Sequence, residues 1–297
     1  MAPTTTQTPF AESVRNRLSG CVRDVARQAG LEQDVEARLA GGKMLRSRLP
    51  GRIQEQAGAA DPDVLREVCT AAELVHSASL CHDDVVDGSE KRRGEPSLWT
   101  ELGRTGAVLV GDLLFAEAVR VVRAAAGGAF MSDFADKVKE TSAAEAEQEL
   151  VWRGEKPDEE THVRLARCKT GPLFALTAGA CTEPGRPAAP DLEEAGYRVG
   201  TAYQLADDLV DVVGSEQTAG KTLGTDRRRS KYTLAMSGQD GPGRLRDRVE
   251  EMCRGALETL NKMPHMRDGV RGFLSEDMAP TLKQHDMELG TRLAELD

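Results

Sequence analysis

The sequence lacks any apolar run long enough to cross a membrane, for which about 18 residues are needed. We therefore expect no transmembrane helix. The first ten residues are polar and rich in threonine, and they lack the basic segment followed by an apolar one that is typical of secretory signals. This absence favours a cytoplasmic protein.

Paired cysteines and excess positive charge are also missing. The six cysteines fall at irregular spacings without a CxxC pair, which argues against a disulfide framework or a zinc site and fits reduced thiols in the cytoplasm. The 39 Lys and Arg residues face 49 Asp and Glu residues, and the formal net charge is −10. This balance argues against nucleic acid as a partner, and an anionic substrate would need a local basic cluster or metal ions.

Alternating runs of Val, Ile, Thr and aromatic residues are absent, while Ala, Leu, Glu and Arg dominate. The sequence therefore predicts an all-α protein, and the lack of a clear linker predicts a single domain over residues 1–297. The predicted helices cover residues 11–29, 62–86, 106–125, 133–153, 158–180, 191–213 and 243–262. The predicted breaks include Gly41-Gly42, residues 87–96, Gly127-Gly128, residues 183–190 and residues 214–230.

Two acidic clusters each close a predicted helix, DDVVD at residues 83–87 and DDLVD at residues 207–211. The first and last Asp of each cluster share a helical face, where like charges repel unless a cation is near. Oxygen ligands of this kind favour magnesium, which proteins hold with one or two carboxylates plus substrate phosphates and water. A solvated acidic face is the simpler alternative, but the flanks of both clusters are apolar, which such a face does not require.

Basic residues follow both acidic clusters and stand beside glycine turns. Arginine offers paired donors to a phosphate, and lysine offers a compact charge. A single basic residue is more often an ordinary surface charge, but the repeated placement indicates phosphate binding. The candidates are Lys43 and Arg46 after Gly41-Gly42, Arg92 and Arg93 after the first cluster, Lys221 and Lys231 after the second, and Lys169 within a helix.

With these motifs in this order, the sequence resembles the trans-isoprenyl diphosphate synthases from about Gly41 to about Leu274. The matching segments are GGKMLRS, LVHSASLCHDDVVDGSEKRRGEPS, VLVGDLLFAEA, KTGPLFA, YQLADDLVD and GKTLGTDRRRSKYTL. The resemblance implies a single large helical bundle around a central cavity, the type I isoprenoid synthase fold, assembled as a homodimer. It also implies that the two Asp clusters face each other and hold about three Mg²⁺ ions per active site.

The resemblance gives each matching residue a role. Metal binding is expected at Asp83, Asp87 and Asp207, with Asp84, Asp208 and Asp211 in support. The diphosphate of isopentenyl diphosphate would be held by Lys43, Arg46, His76 and Arg93, and the allylic diphosphate by Arg92, Lys169, Lys221 and Lys231. Thr170 and Gln204 would line the reacting allyl group, whereas His82 is expected to be structural. A core position is the alternative for His76.

Some positions depart from the family pattern while the charged positions remain. Met44 and Ser47 stand where the family commonly has Arg and Pro, and residues 143–150 match a Gly-Glu-x-x-Gln segment only loosely. The last basic motif is altered at Ser230, Tyr232 and Ala235. These departures bear on substrate positioning, and so on which product is made.

The implied reaction is the head-to-tail condensation of isopentenyl diphosphate with an allylic prenyl diphosphate by a prenyltransferase. A terpene cyclase on the same fold would also need the Asp clusters, but cyclases favour aromatic pockets and this chain is only 4% aromatic. A cyclase would also have no need of Lys43, Arg46 and Arg93. A regulatory subunit of a two-chain synthase could lose a metal cluster, whereas both clusters are present.

Small side chains line the helix face that leads away from Asp83. They are Ser79, Ala78, Val75, Ala72 and Ala71. Because one helix turn rises about 5.4 Å, close to one extended isoprene unit, this face predicts a channel several turns deep. By resemblance to longer-chain members we expect a product of about twenty carbons or more, and thirty or more is favoured. Phe115 is a candidate for the residue that closes the bottom of the channel. Close helix packing is the alternative explanation, since it also selects Ala and Ser.

Overall fold

A computed structural model describes residues 9–31, 35–58, 60–182, 190–213, 236 and 240–296. The structure is built from helices, with one short hairpin after the fourth of them. The helices are α1 (Pro9–Gln28), α2 (Glu36–Leu39), α3 (Leu45–Ala57), α4 (Pro62–Asp87), α5 (Leu98–Leu150), α6 (Glu159–Gly179), α7 (Pro190–Val213), α8 (Gly241–Thr259), α9 (Pro264–Phe273), α10 (Ala279–Lys283) and α11 (Met287–Ala294). A π-helical turn, Leu274–Met278, joins α9 to α10.

Both ends of α4 are fixed by local sequence. Asp61 Oδ1 accepts hydrogen bonds from the backbone N–H groups of Asp63 and Val64, at 2.9 and 3.3 Å, and Pro62 begins the first turn. The helix ends at Gly88, whose φ of 62° is the left-handed conformation that a glycine cap adopts most easily. The first Asp cluster therefore occupies the last turn of a well-defined helix.

The hairpin after Gly88 brings two arginines back over the end of α4. Strand β1 (Lys91–Arg92) pairs antiparallel with β2 (Glu95–Pro96), with Lys91 opposite Pro96 and Arg92 opposite Glu95. Arg93 forms the turn with a φ of 56°, which is uncommon outside glycine. The turn conformation thus sets the direction in which the Arg93 side chain leaves the backbone.

Helices α6 and α7 pack with their backbones in close approach, because three glycines lie between them. A Cβ atom at Gly200 would lie 2.7 Å from Gly171 Cα and 2.9 Å from Thr170 O. A Cβ atom at Gly196 would lie 2.7 Å from Ala175 Cα. These distances are shorter than carbon contacts in packed interiors, so only glycine fits and the register of α6 against α7 is fixed.

A buried ionic group ties α3 to the π-helical turn. Asp277 is 0% exposed, and its two carboxylate oxygens accept hydrogen bonds from Arg48 Nη1 and Arg52 Nε, both at 2.8 Å. Removing one partner of such a group typically costs about 3–5 kcal/mol, because it leaves a buried charge uncompensated. The group therefore anchors the C-terminal helices to α3.

The all-α prediction is confirmed, but one predicted break is wrong. Helix α5 runs without interruption past Gly127-Gly128, although each glycine costs a helix about 1 kcal/mol relative to alanine. Tertiary packing outweighs this local preference, because α5 packs on α4 and also on α6. The sequence reasoning also missed α3 and the helices after residue 263. No helix in the described ranges is long and apolar enough to span a membrane.

Candidate active site

A cavity of about 680 Å³ opens among α3, α4, α5, α6, α7 and the hairpin. Thirteen of the sixteen predicted site residues line it: Lys43, Arg46, His76, Asp83, Asp87, Arg92, Arg93, Lys169, Thr170, Gln204, Asp207, Asp208 and Asp211. Asp84 lies behind the cavity wall, and Lys221 and Lys231 lie outside the described residues. Residues distant in sequence are therefore brought to one cavity by the packing of six elements.

The acidic side of the cavity is formed by both Asp clusters. Asp83 and Asp87 reach it from α4, and Asp207 and Asp211 reach it from α7. These are the first and last members of each cluster, which helical geometry places on one face. The two helices thus present two pairs of carboxylates to one space.

The second Asp of each cluster is buried and bound by protein donors instead. Asp84 is 4% exposed, and its Oδ1 accepts a hydrogen bond from Arg92 Nε at 2.9 Å. Burial raises the pKa of Asp84, and the Arg92 guanidinium opposes that rise. Asp208 is 8% exposed, and its Oδ1 accepts from Gln204 Nε2 at 3.0 Å. Asp84 does not line the cavity, whereas Asp208 lines it from a largely buried position.

The donor set of the acidic side fits magnesium. No group of three or more His, Cys, Asp or Glu side chains in the described ranges is gathered closely enough to hold an ion unaided. Magnesium does not require such a cage, because it keeps several waters and is held by one or two carboxylates together with substrate phosphates. The paired oxygens of Asp83 and Asp87, and of Asp207 and Asp211, provide ligands of this type on both sides of the cavity.

The same cavity also has a basic group. Lys43, Arg46 and Arg93 line it together with His76. The Arg46 guanidinium lies 5.3 Å from the centre of the Phe174 ring, a cation–π distance, and Arg93 Nη1 donates to Arg38 O at 3.0 Å. Packing and hydrogen bonding therefore hold these guanidinium groups in place before any substrate binds.

The environment of His76 favours the neutral form of its imidazole. Burial lowers its pKa well below the usual range, and the nearby charges of Arg46, Arg93 and Arg92 lower it further. A neutral imidazole has one donor and one acceptor nitrogen. His76 can therefore add a hydrogen bond to a diphosphate, while the charge that attracts the diphosphate comes from the arginines.

Glu73 is a site residue that sequence reasoning missed. It is 4% exposed, lines the cavity and accepts a hydrogen bond from Ser47 Oγ at 2.8 Å. Burial lowers the pKa of Arg46 and that of Arg93, and the Glu73 carboxylate opposes both decreases. A signal was available in the sequence, because Glu73 lies three residues before His76, which places both on one face of α4.

Lys169 is held by two residues of α5. Its Nζ lies 2.5 Å from Glu145 Oε2 and 3.2 Å from Gln148 Oε1. Both partners belong to the segment that matches the family pattern only loosely, so this segment positions the lysine in spite of the mismatch. A diphosphate that binds Lys169 would have to compete with the Glu145 carboxylate.

His82 lies at the contact of α4 with α5. Its Nε2 is 3.2 Å from Val108 O, and a Cβ atom at Gly111 would lie 2.3 Å from the same nitrogen. The imidazole therefore fills a space that only glycine leaves open. These contacts agree with the structural role expected for His82.

The helix face that was predicted to line the channel for the growing chain lies mostly in the hydrophobic core. Ala71, Ala72 and Ala78 are 0% exposed and Val75 is 2% exposed, and all four pack in the hydrophobic core instead of lining the cavity. Ser79 does line the cavity, as does Phe115 from α5. Close helix packing, the alternative considered above, accounts for the alanines.

Comparison with known proteins identifies the family. A sequence model described as polyprenyl synthetase matches residues 28–239. The chain belongs to the polyprenyl synthetase family. This confirms the resemblance and the prediction of a prenyltransferase. The short chain isoprenyl diphosphate synthase of Methanothermobacter thermautotrophicus is 32% identical over 232 residues, which cover 76% of this chain and 71% of that protein.

Two further comparisons bear on fold and on diversity within the family. Component 2 of heptaprenyl diphosphate synthase from Geobacillus stearothermophilus is 32% identical over 66% of this chain and 62% of its own length. A polyprenyl synthase of Caulobacter crescentus, crystallised with calcium and isoprenyl diphosphate, has a TM-score of 0.74 at 22% identity and covers 97% of this chain and 98% of that one. The structural match confirms the isoprenoid synthase fold, and the relatives' names span several chain lengths.

Proposed function

We propose that this chain is a single-domain, magnesium-dependent synthase that joins isopentenyl diphosphate head to tail to an allylic prenyl diphosphate. The observation that carries this proposal is the charge layout of one cavity. Two carboxylate pairs face it from α4 and α7, and the basic group of Lys43, Arg46 and Arg93 lines the same cavity. One cavity thus offers a place for a metal-bound diphosphate and a second place for a diphosphate bound by side chains.

The protein's own groups can be assigned to the two substrates. Lys43, Arg46, His76 and Arg93 would bind the diphosphate of isopentenyl diphosphate, and Arg92 and Lys169 would contribute to the allylic diphosphate. Magnesium, when bound by Asp83, Asp87 and Asp207, would neutralise charge on the allylic leaving group. The crystallised Caulobacter relative, which holds calcium and isoprenyl diphosphate, supports the use of a divalent ion.

The reaction needs no side-chain base in this arrangement. The bond between the allylic carbon and its diphosphate oxygen breaks, and that carbon forms a bond to the double bond of isopentenyl diphosphate. The proton lost from the new chain can leave with the departing pyrophosphate. Burial and the neighbouring arginines disfavour protonation of His76, so it is poorly suited to accept that proton.

The proposal also covers the length of the product, the oligomeric state and the cellular location. We propose a product of about twenty carbons or more, since one relative is named as a heptaprenyl diphosphate synthase component and Ser79 leaves space on the cavity wall one turn, about 5.4 Å, from Asp83. A homodimer is supported by apolar side chains exposed along α5, where Val108, Leu109 and Val119 are 37%, 56% and 39% exposed. The free thiols of the described cysteines support a cytoplasmic location. Light scattering coupled to size exclusion would test the dimer.

A heteromeric synthase is the second candidate, because one relative is named as a component of a two-part enzyme. The test is one incubation of the purified chain with labelled isopentenyl diphosphate and a series of allylic diphosphates, with magnesium or with EDTA. We expect chain elongation in magnesium and none in EDTA. Cyclic hydrocarbons formed without use of the label would show a terpene cyclase instead. No turnover with any primer, restored by a second purified subunit, would show the heteromer.

A further inference from the structure

Four polar side chains form a chain of contacts between α6 and α7 that reaches the cavity. Thr170 Oγ1 donates to Gln204 Oε1 at 2.6 Å, and Gln204 Nε2 donates to Asp208 Oδ1 at 3.0 Å. At the far end, His162 Nε2 lies 3.0 Å from Asp208 Oδ2. Thr170, Gln204 and Asp208 line the cavity, whereas His162 does not. His162 was not among the residues that the sequence singled out.

The hydrogen-bonding chemistry of these side chains fixes which atoms donate and which accept. An ionised carboxylate only accepts hydrogen bonds, so Asp208 requires the amide nitrogen of Gln204 to face it. The amide oxygen of Gln204 then faces Thr170, whose hydroxyl proton is directed to it. One lone pair of Thr170 and the second amide proton of Gln204 are left for a ligand in the cavity. Asp208 thus determines which polar atoms the cavity wall presents.

His162 is placed to hold Asp208 by the geometry of both helices. Residues 162, 166 and 170 recur every four residues and share one face of α6, and Gln204 and Asp208 share one face of α7. Ala166, between the two polar residues of α6, is small and buried at 3% exposure. The side chains of α7 can therefore lie across it and reach Thr170 and His162. The glycine contacts between the helices fix this register.

We infer that His162 is a positioning residue for the allylic half of the active site, acting through Asp208 and Gln204. The inference rests on the proposed function, since it assigns this wall to the allylic substrate. His162 is 5% exposed and Asp208 is 8% exposed, so water is a poor substitute for the contact between them. Without the imidazole, the Asp208 carboxylate would lose its close contact on the α6 side, and its orientation toward Gln204 would be less restrained.

The test compares three substitutions that differ in donor and reach. His162→Phe keeps a ring without a donor, His162→Gln keeps an amide donor with comparable reach, and His162→Asn keeps the donor but is one methylene shorter. We expect His162→Phe and His162→Asn to weaken magnesium-dependent binding of an allylic thiolodiphosphate, measured by calorimetry, about 10-fold or more, because a close polar contact between two buried side chains is costly to leave unmade. His162→Gln should stay within about 3-fold of wild type, and isopentenyl diphosphate binding should stay within about 2-fold in all three.

Thr201→Val provides a matched control, since Thr201 is also a buried residue of α7, and its hydroxyl donates within its own helix, to Tyr197 O at 2.7 Å. It should change neither ligand's affinity. Equal loss for both ligands in His162→Phe, together with a lower melting temperature, would show a purely structural role. Should His162→Phe fail to fold, equal affinities of His162→Gln and His162→Asn for the analogue would overturn the inference. Wild-type protein that binds neither ligand would instead refute the proposed function itself.

Discussion

Replacing Gly200 by alanine is a direct test of how the site depends on the contact between α6 and α7. The added methyl carbon would lie 2.7 Å from Gly171 Cα, 2.9 Å from Thr170 O and 3.0 Å from Gly171 N. All three are backbone atoms, so no flexible side chain can move aside. To bring the added methyl carbon to an ordinary contact distance of about 3.5–4.0 Å, α6 and α7 would have to separate by about 1 Å.

Such a separation would have different effects on stability and on catalysis. Overpacking costs about 1–3 kcal/mol, and alanine recovers about 1 kcal/mol of helix propensity relative to glycine. A net loss of about 0–2 kcal/mol leaves a typical domain folded. The hydrogen bond from Thr170 to Gln204, now 2.6 Å, would lengthen to about 3.6 Å and be lost. Since misplacement of reacting groups by about 1 Å can cost about 100-fold, we expect kcat/KM to fall about 100-fold.

The assay is a pair of measurements on each variant, namely urea unfolding and initial rates with an allylic primer. Gly20→Ala in α1 is the matched control, because a Cβ atom there meets nothing within 4 Å. It should gain up to about 1 kcal/mol of stability and keep the wild-type rate. The reasoning would be refuted by a Gly200→Ala variant with a normal kcat/KM, or by one whose rate falls only in proportion to its unfolded fraction.

The other predictions concern metal, substrate and product. Asp83→Ala and Asp207→Ala should each lower turnover by about 100-fold or more with unchanged circular dichroism, because each removes a proposed magnesium ligand; near-normal turnover in magnesium would contradict the assignment. Lys43→Ala should raise KM for isopentenyl diphosphate more than KM for the primer, and equal effects would indicate a general electrostatic role. Ser79→Tyr should shorten the product, as sized by chromatography, since Ser79 lines the cavity, whereas Ala78→Tyr should mainly lower the melting temperature, since Ala78 is fully buried. A shorter product from Ala78→Tyr in a stable protein would place the growing chain in the core.

Motif spacing predicted which charged residues share a helix face, and the structure brings most of them to one cavity, because helical periodicity converts spacing directly into a shared face. Asp83 and Asp87 illustrate this, since their separation of four residues places both on the cavity side of α4. The all-α fold followed from composition for a similar reason, because propensities of many residues add along each helix. Both are local properties of the chain, which a single sequence contains.

Properties that depend on which helix lies opposite were not predictable in this way. The small residues before Asp83 were expected to line a channel, yet Ala78 contacts the core and Ser79 contacts the cavity. The two neighbours differ by about 100° around α4, and only the position of α5 decides which of them faces open space. His162 was missed for the same reason, since no residue near it in the sequence indicates that it lies beside Asp208 on α7.

In both clusters, however, the second Asp has different contacts from the first and last Asp, and this difference gives each of the three carboxylates a role. The first and last Asp of each cluster line the cavity, whereas the second is turned by about 100° from the first and is largely buried, although Asp208 still reaches the cavity. Asp84 binds Arg92 there, and Asp208 binds Gln204 with His162 nearby. A helix end that carries only the two outer carboxylates could fray, because last turns are held by few backbone bonds. The second Asp of each cluster connects that turn to a neighbouring side chain, so the first and last Asp are held at a set position before a cation binds.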